Sequence, residues 1–380
     1  MALAAGGGVY ALTRGGGPAN EVVVSDSACA FGWKAPSSGR TVFTIRNESP
    51  TTVYTVQIVG SSTVAVYGQQ YMVAPGTEAP LDAVLPPGGY SFQCQGANGY
   101  LLVSPSEQVT GPPVTGAHPY VQVTGQQIQL AVDGYRASLM PLMRRLQTDT
   151  DSLTAAMRAG ELARARTLWL PAHLDYSRLG VAYDTFGKYN ALIDGRPSGL
   201  QGGVESPQFR GFLRLEYGLW HGQSQAELVP VADDLQQSVH GLVRQFPTMP
   251  FVNGDLALRA HEILENTLQF ELTGQTNEGS NTNLATAWAN VQGTSLALAA
   301  LQPLLHQVDP SLLTTVTGGV SRLGSLLHAY EQPDGRWVAL DALTTTEREQ
   351  IDSATSGLLE HLSLVPDLLT PSGAAGDSGD

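Results

Sequence analysis

The sequence predicts a chain of two parts, a small β-sandwich followed by a larger all-α domain. Three observations carry this prediction. Short β-branched and aromatic runs recur between Gly, Pro, Asn and Ser turns over residues 18–110. A segment rich in Pro and Gly, residues 111–125, follows and predicts a linker. From residue 126 to about 370, apolar residues repeat at the three- and four-residue spacing of helices.

The β part, residues 18–110, is predicted from four runs of strand-forming residues. These runs are residues 21–24, 41–45, 53–59 and 90–94. Their spacing between turn residues is typical of a sandwich. The two cysteines, Cys29 and Cys94, lie near the two ends of this region, and we expect a disulfide between them in an exported protein. Reduced cysteines are the alternative, and they would allow a copper site with Met72 or Glu48.

The two ends of the chain have their own composition. Residues 1–17 contain a short apolar run, which we interpret as the remnant of an export or membrane-anchor segment. Residues 371–380 are small and polar, and we expect them to be disordered. No other stretch of the sequence is apolar enough to cross a membrane.

The helical part, residues 126–370, follows from periodicity and from helix-start residues. Leu139, Leu142, Met143 and Leu146 would share one helix face. Asp309 before Pro310 matches the residues preferred at a helix N-terminus. A helical region of this length predicts one bundle or two packed together.

Acids and imidazoles interrupt the apolar pattern of this helical part. His261 and Glu265 lie four residues apart and so project from one helix face, with Glu262 beside them and leucines further along. A buried carboxylate is costly unless it is paired, protonated or bound to a metal. A hydrogen bond between histidine and glutamate inside the core is therefore the simple alternative to a metal site.

Two further helices contribute similar groups. Glu216 has apolar residues at its helical neighbour positions, and His173 and Asp175 follow a proline suited to a first helical turn. Carboxylates and histidines that project inward from several helices are how bundles build metal sites. We therefore predict that six residues bind a metal: His173, Asp175, Glu216, His261, Glu262 and Glu265.

The chemistry of these side chains restricts the ion and the partners. Carboxylate oxygen and imidazole nitrogen suit ferrous or ferric iron, with zinc or copper as alternatives. The arginines beside the acids, Arg214 and Arg259, offer another explanation, because a guanidinium can pair a carboxylate without any ion. The net charge of −14 and the pI of about 4.9 exclude nucleic acid as a partner.

Several stretches of the helical part resemble iron-uptake components of the EfeO type, in which a cupredoxin-like domain precedes an imelysin-like domain. The stretches are residues 168–176 (LWLPAHLDY), 186–187 with 193–197 (FG, IDGRP), 214–222 (RLEYGLWHG), 260–274 (AHEILENTLQFELTG) and 283–294 (NLAT, AN and GT). The resemblance implies a cupredoxin-like sandwich followed by an imelysin-like bundle. It also implies a periplasmic or cell-surface protein, anchored or free, that binds iron and passes it to a membrane permease. A haem peroxidase often belongs to the same system.

The sequence departs from the family pattern at one important position. The family's GxHxxE motif maps onto residues 211–216, where Leu213 replaces the histidine and Glu216 is kept. A leucine cannot bind a metal, so a non-catalytic scaffold with a decayed site is an alternative function. A metallopeptidase is a further alternative, but His261 and Glu262 are followed by Glu265 where a His-Glu-x-x-His motif needs its second histidine. We therefore predict a binding protein rather than an enzyme.

Overall fold

The computed structural model describes residues 20–369 apart from residues 63, 64, 98 and 253. It divides into two compact units between Gln122 and Val123. The predicted order, a β domain followed by a helical domain, is confirmed. The predicted export or anchor remnant, residues 1–17, and the predicted disordered tail, residues 371–380, lie outside the described residues.

The first unit is a sandwich of two sheets. Its strands, within the described residues, are β1 (Glu21–Ser25), β2 (Ala28–Cys29), β3 (Gly39–Asn47), β4 (Tyr54–Gly60), β5 (Val66–Val73), β6 (Glu78–Leu85), β7 (Gly88–Gly96), β8 (Leu101–Val103) and β9 (Glu107–Val109). One sheet has the order β2-β1-β3-β6, and the other has the order β5-β4-β7-β8 with β9 also paired to β7. The β1 and β3 strands pair in parallel, and the other pairs are antiparallel.

The core of the sandwich lies between the two sheets. Strand β3 alternates buried and exposed residues, because one of its faces packs inward and the other faces solvent. Phe43 from one sheet meets Phe92 from the other edge-to-face, with ring centroids 5.2 Å apart, and Trp33 packs against both. The predicted disulfide is present, and it joins Cys29 on β2 to Cys94 on β7.

The segment predicted as a linker, residues 111–125, has two roles. Tyr120 and Val66 exchange two backbone hydrogen bonds of 2.8 and 3.1 Å, so this part of the segment adds to the β unit. The last residues start the helical unit, because Thr124 caps the first helix by accepting a hydrogen bond from the N–H of Gln127.

The second unit is mainly helical. Its helices, within the described residues, are α1 (Gly125–Arg158), α2 (Leu162–Ser177), α3 (Lys188–Asp194), α4 (Gly211–Trp220), α5 (Gln225–Gln245), α6 (Asp255–Asn266), α7 (Asn283–Val308), α8 (Pro310–His328), α9 (Thr345–Leu362) and α10 (Leu364–Leu368). Helix α1 packs against α2, α5 and α7, and α7 also packs against α6 and α8. In the described part of the chain, none of the helices has the length and apolar character that a membrane span needs.

Helix α6 does not end as an ordinary helix. Residues Thr267–Glu271 continue it as a turn of π-helix, in which the N–H of Leu272 donates to the carbonyl of Thr267 over 3.0 Å. A π turn is wider than an α turn, so it changes which side chains face inward, and such turns often occur at functional sites.

Candidate functional site

The helical unit contains a cavity of about 290 Å³. Helices α2, α3, α4, α6 with its π turn, and α7 form most of its walls, and the segments between them supply the rest. The charged and ionisable groups in the lining are His173, Tyr183, Asp194, Arg196 and Glu271. The neutral lining residues are Ser177, Asn190, Ala191, Gly195, Leu213, Ile263, Asn266, Phe270, Thr276, Thr286 and Asn290.

His173 on α2 is the imidazole of this cavity. Its side chain is buried, stacks on Trp169 at a centroid distance of 4.8 Å, and lies with Nε2 3.2 Å from Asp194 Oδ1. Its Nδ1 is also buried and has no hydrogen-bond partner among the described residues. Metal-binding histidines commonly donate one ring N–H to a carboxylate and bind the ion through the other nitrogen. The His173–Asp194 pair has the first half of this arrangement.

Asp194 reaches His173 because two helix ends come close together. Asp194 is the last residue of α3, and Gly211 starts α4 with a backbone φ of +79°. A side chain at Gly211 would place Cβ only 2.0 Å from the carbonyl oxygen of Ile193. The missing side chain therefore lets α4 begin directly against the end of α3, which brings Asp194 and Leu213 into one cavity wall.

Glu216 on α4 does not line the cavity, but its charge acts on His173. It is only 1% exposed, and its Oε1 accepts hydrogen bonds from the backbone N–H groups of Glu278 (3.1 Å) and Ser280 (2.8 Å). Burial raises the pKa of Glu216 to about 7, although these hydrogen bonds and the charge of His173 oppose the shift. Glu216 thus gives up its proton much less readily than an ordinary glutamate.

Glu271 enters the cavity from the π turn. Its Oε2 accepts hydrogen bonds from Thr276 Oγ1 (2.6 Å) and Asn283 Nδ2 (3.3 Å). Burial raises the pKa of this carboxyl as well. Burial alone would lower the pKa of His173, but the charges of Asp194, Glu216 and Glu271 outweigh it and raise the pKa. One imidazole and three carboxylates therefore share one electrostatic environment that favours a cation.

The donor atoms at this cavity are oxygen and nitrogen, which suit iron or zinc. Within the part of the chain that the structure describes, no group of three His, Cys, Asp or Glu side chains is arranged to hold one metal ion. An ion at this cavity would therefore complete its coordination with water, with another ligand or through side-chain movement.

The other predicted ligand on α2, Asp175, has a different neighbourhood. It is 2% exposed, and its carboxylate accepts hydrogen bonds from the guanidinium groups of Arg145 (2.7 and 2.8 Å) and Arg178 (2.8 Å). Two arginines thus pair this carboxylate, one on α1 and one just after α2, and neither is one of the two arginines named from the sequence. Asp175 does not line the cavity.

Asp175→Asn is expected to lower the free energy of unfolding by about 2 kcal/mol, because it removes a buried charge that two guanidinium groups pair. Iron affinity is expected to stay within about two-fold of wild type. Urea unfolding and metal titration measure the two effects. Asp233→Asn is the control, because Asp233 pairs with Arg158 at the surface and its loss is expected to cost under about 0.5 kcal/mol. A large loss of iron affinity in Asp175→Asn would place Asp175 in the metal site.

The predicted residues on α6 lie outside the cavity. Glu265 is exposed, and His261 is partly exposed with Nδ1 4.0 Å from Glu265 Oε2. Glu262 forms an ion pair with Arg259, which also pairs with Asp184. The buried residues of α6 are Leu256, Ala257, Ala260, Ile263 and Leu264, so the opposite face of the helix carries His261 and its acids.

Arg214, the second predicted charge partner, does not pair with Glu216. Its Nη1 donates to Gln223 Oε1 over 2.8 Å. Glu216 instead accepts hydrogen bonds from two backbone N–H groups, and no arginine or lysine among the described residues forms an ion pair with it. Leu213, where the related family has histidine, lines the cavity and is 2% exposed.

Sequence reasoning missed Asp194, Arg196 and Glu271 as site residues. All three lie in stretches that carried the family resemblance, residues 193–197 and 260–274. That resemblance was the available signal for them. Asn190 on α3 also lines the cavity and accepts a hydrogen bond from the Tyr176 hydroxyl over 3.2 Å.

The raised pKa of Glu216 predicts a pH-dependent stability. The folded protein binds this proton more tightly than the unfolded chain, whose glutamate has a pKa near 4.5, so the stabilisation is complete below pH 4.5 and is lost as pH rises through about 7. Glutamine does not titrate, so we expect the free energy of unfolding of Glu216→Gln, relative to that of wild type, to increase by about 2–3 kcal/mol between pH 4.5 and pH 8. Urea unfolding of metal-free protein at both pH values measures this. An unchanged difference between the two proteins would contradict the prediction.

Comparison with known proteins gives three results. The peptidase M75 family, described as imelysin, matches residues 131–365. The chain is 26% identical over 346 residues to "Iron uptake system component EfeO" of Escherichia coli O157:H7. The alignment covers 91% of this chain and 90% of that relative, and the same values hold for EfeO of Shigella flexneri. The chain also resembles the crystal structure of an imelysin-like protein from Psychrobacter arcticum 273-4, with a TM-score of 0.53 and 13% sequence identity. The match covers 67% of this chain and 99% of that one, and at this identity it shows similarity of fold alone.

Proposed function

Because this chain belongs to the imelysin family, we propose that it is an extracytoplasmic iron-binding component of an iron uptake system. It would deliver iron to a membrane permease, and a haem peroxidase would be a further member of the system. The curated relatives are named as components of such a system and span nearly the whole chain. The disulfide between Cys29 and Cys94 supports an oxidising compartment, since such bonds are rare in the cytosol.

The observation that carries the proposal is the charge arrangement around His173. Its Nε2 faces Asp194, its Nδ1 has no partner among the described residues, and Glu216 and Glu271 act on it electrostatically. Three carboxylates near one imidazole favour a bound cation, because a positive ion would offset charges that burial makes costly. We propose that His173, through Nδ1, and Glu271 contact the iron, that Asp194 orients the His173 ring from its Nε2 side, and that Glu216 supplies further negative charge.

This proposed set is narrower than the six residues predicted from the sequence. It keeps His173 as a ligand and Glu216 as a charged neighbour. It leaves out Asp175, which two arginines pair, and the three α6 residues His261, Glu262 and Glu265, which lie on the opposite face of that helix. Iron is the cargo in this proposal, with zinc as a competitor for the same donors.

A scaffold protein without metal is the second candidate, and Leu213 favours it. This leucine occupies a cavity wall where the family motif carries a histidine, so the cavity has one nitrogen donor fewer.

Calorimetric titration of metal-free protein with ferrous iron under anaerobic conditions distinguishes the two functions. We expect one saturable iron site per chain. Absence of saturable uptake would support the scaffold, and chelator-sensitive cleavage of an unfolded protein would support a peptidase.

A further inference from the structure

The cavity is larger than a single ion requires. Its volume of about 290 Å³ compares with the roughly 10–15 Å³ that one water needs when measured in the same way. Its lining includes seven neutral side chains that can form hydrogen bonds: Ser177, Tyr183, Asn190, Asn266, Thr276, Thr286 and Asn290. A cavity of this size and polarity can hold a small organic molecule together with the iron.

Arg196 places a positive charge in the same lining. Its guanidinium carbon lies 3.7 Å from the ring centroid of Phe270, which also lines the cavity. No carboxylate of the described residues lies within ion-pair distance of Arg196. Stacking uses the flat face of a guanidinium and leaves its N–H groups, which lie in the plane, available to an anion. Arg196 is therefore suited to bind a carboxylate through two parallel hydrogen bonds.

Asn290 on α7 supplies an unpartnered acceptor. The residue is 5% exposed, and its Nδ2 donates to Thr267 Oγ1 over 2.9 Å. Its Oδ1 is buried and has no hydrogen-bond partner among the described residues. A buried acceptor without a donor is costly, so a ligand hydroxyl that donated to Oδ1 would stabilise the complex.

We propose that this cavity binds iron as the complex of a hydroxycarboxylate chelator, such as citrate, rather than as the bare ion. The inference rests on the proposed function, because it needs the iron that His173 and Glu271 are proposed to contact. Arg196 binds a carboxylate of the chelator, and Asn290 accepts a hydrogen bond from a hydroxyl. The family motif has a histidine ligand where this chain has Leu213. The oxygen atoms of the chelator would replace that missing ligand on the iron.

Retention of the chelator tests this proposal. Metal-free full-length protein is mixed with ferric citrate that carries radiolabelled citrate, passed through a desalting column, and assayed for iron and for label. We expect about one citrate for each iron in the wild-type protein. Arg196→Gln is expected to weaken citrate binding by about 10- to 100-fold, as the loss of a charge-assisted pair predicts. Its affinity for ferrous iron without citrate is expected to be no lower than that of wild type, because the substitution removes a positive charge from the cavity and no proposed iron contact.

Lys188→Gln is the matched control. Lys188 also stacks on an aromatic ring, that of Tyr189, and carries the same charge on the same stretch of chain, but it does not line the cavity. This variant is expected to retain citrate as wild type does. Iron retained without citrate, or citrate retained equally by Arg196→Gln, would overturn the inference and leave the proposed function standing. If neither ferric citrate nor ferrous iron bound to the wild-type protein, the proposed function itself would fail.

Discussion

Replacing His173 with alanine is expected to weaken ferrous iron binding by at least about 1,000-fold, equivalent to about 4 kcal/mol. The variant removes the nitrogen donor that lines the cavity, and it also leaves Asp194 without its imidazole partner. Of the proposed contacts only Glu271 would remain, and a carboxylate without the imidazole would hold the ion less selectively. Anaerobic calorimetry with metal-free protein measures the change.

A second histidine in the same unit provides a matched control. His240 on α5 lies with Nε2 2.7 Å from Asp151 Oδ1, so it forms the same type of pair as His173 and Asp194 but does not line the cavity. His240→Ala is expected to bind iron as wild type does. Asp194→Asn keeps the shape of the site and is expected to lose about 10- to 100-fold in affinity, because Asp194 orients His173. Stoichiometric, unweakened binding by a folded His173→Ala protein would disprove the proposed ligand set.

The general architecture could be predicted because it depends on local patterns. Alternation along β3 and the turn residues around it mark a half-buried strand, and Asp309 caps α8 by accepting a hydrogen bond from the N–H of Leu312 over 2.8 Å. Pairing between distant strands could not be predicted in the same way. Strands β1 and β3 pair in parallel, which depends on the path of the chain between them and not on either strand's composition.

The orientation of α6 shows where a helical pattern becomes ambiguous. Leucines occur on more than one side of this segment, so His261 and Glu265 could be assigned to either the buried or the exposed face. In the structure Ile263 and Leu264 are buried, so their side of α6 packs against the rest of the unit and the side with His261 and Glu265 does not. The π turn then brings Glu271 to the cavity, and a prediction that assumes 3.6 residues per turn contains no such turn.

The partners of the acids could not be predicted from neighbouring residues. Arg214 lies two residues before Glu216 in sequence but contacts Gln223, whereas Asp175 is paired by Arg145, which lies 30 residues away on α1. Arginine side chains are long enough to cross between helices, so tertiary packing decides which carboxylate each one neutralises. Glu216 was found because its helical neighbours are apolar. His173 was found because it follows Pro171, but that proline lies inside α2 and not in a first turn as predicted.

Removing the disulfide is expected to destabilise the β unit by about 4 kcal/mol, because the bond closes a loop with a sequence separation of 65 between Cys29 and Cys94. The double variant Cys29→Ala and Cys94→Ala loses this restriction of the unfolded chain and also the link between the two sheets. Hydrogen exchange followed by mass spectrometry measures the loss separately for residues 20–122 and 123–369, and the second range serves as the internal reference. We expect faster exchange in β4 and β7, the central strands of one sheet, with the helical unit unchanged. Equal protection of these strands with and without the bond would mean that the hydrophobic core around Phe43 and Phe92 alone determines the stability of the sandwich.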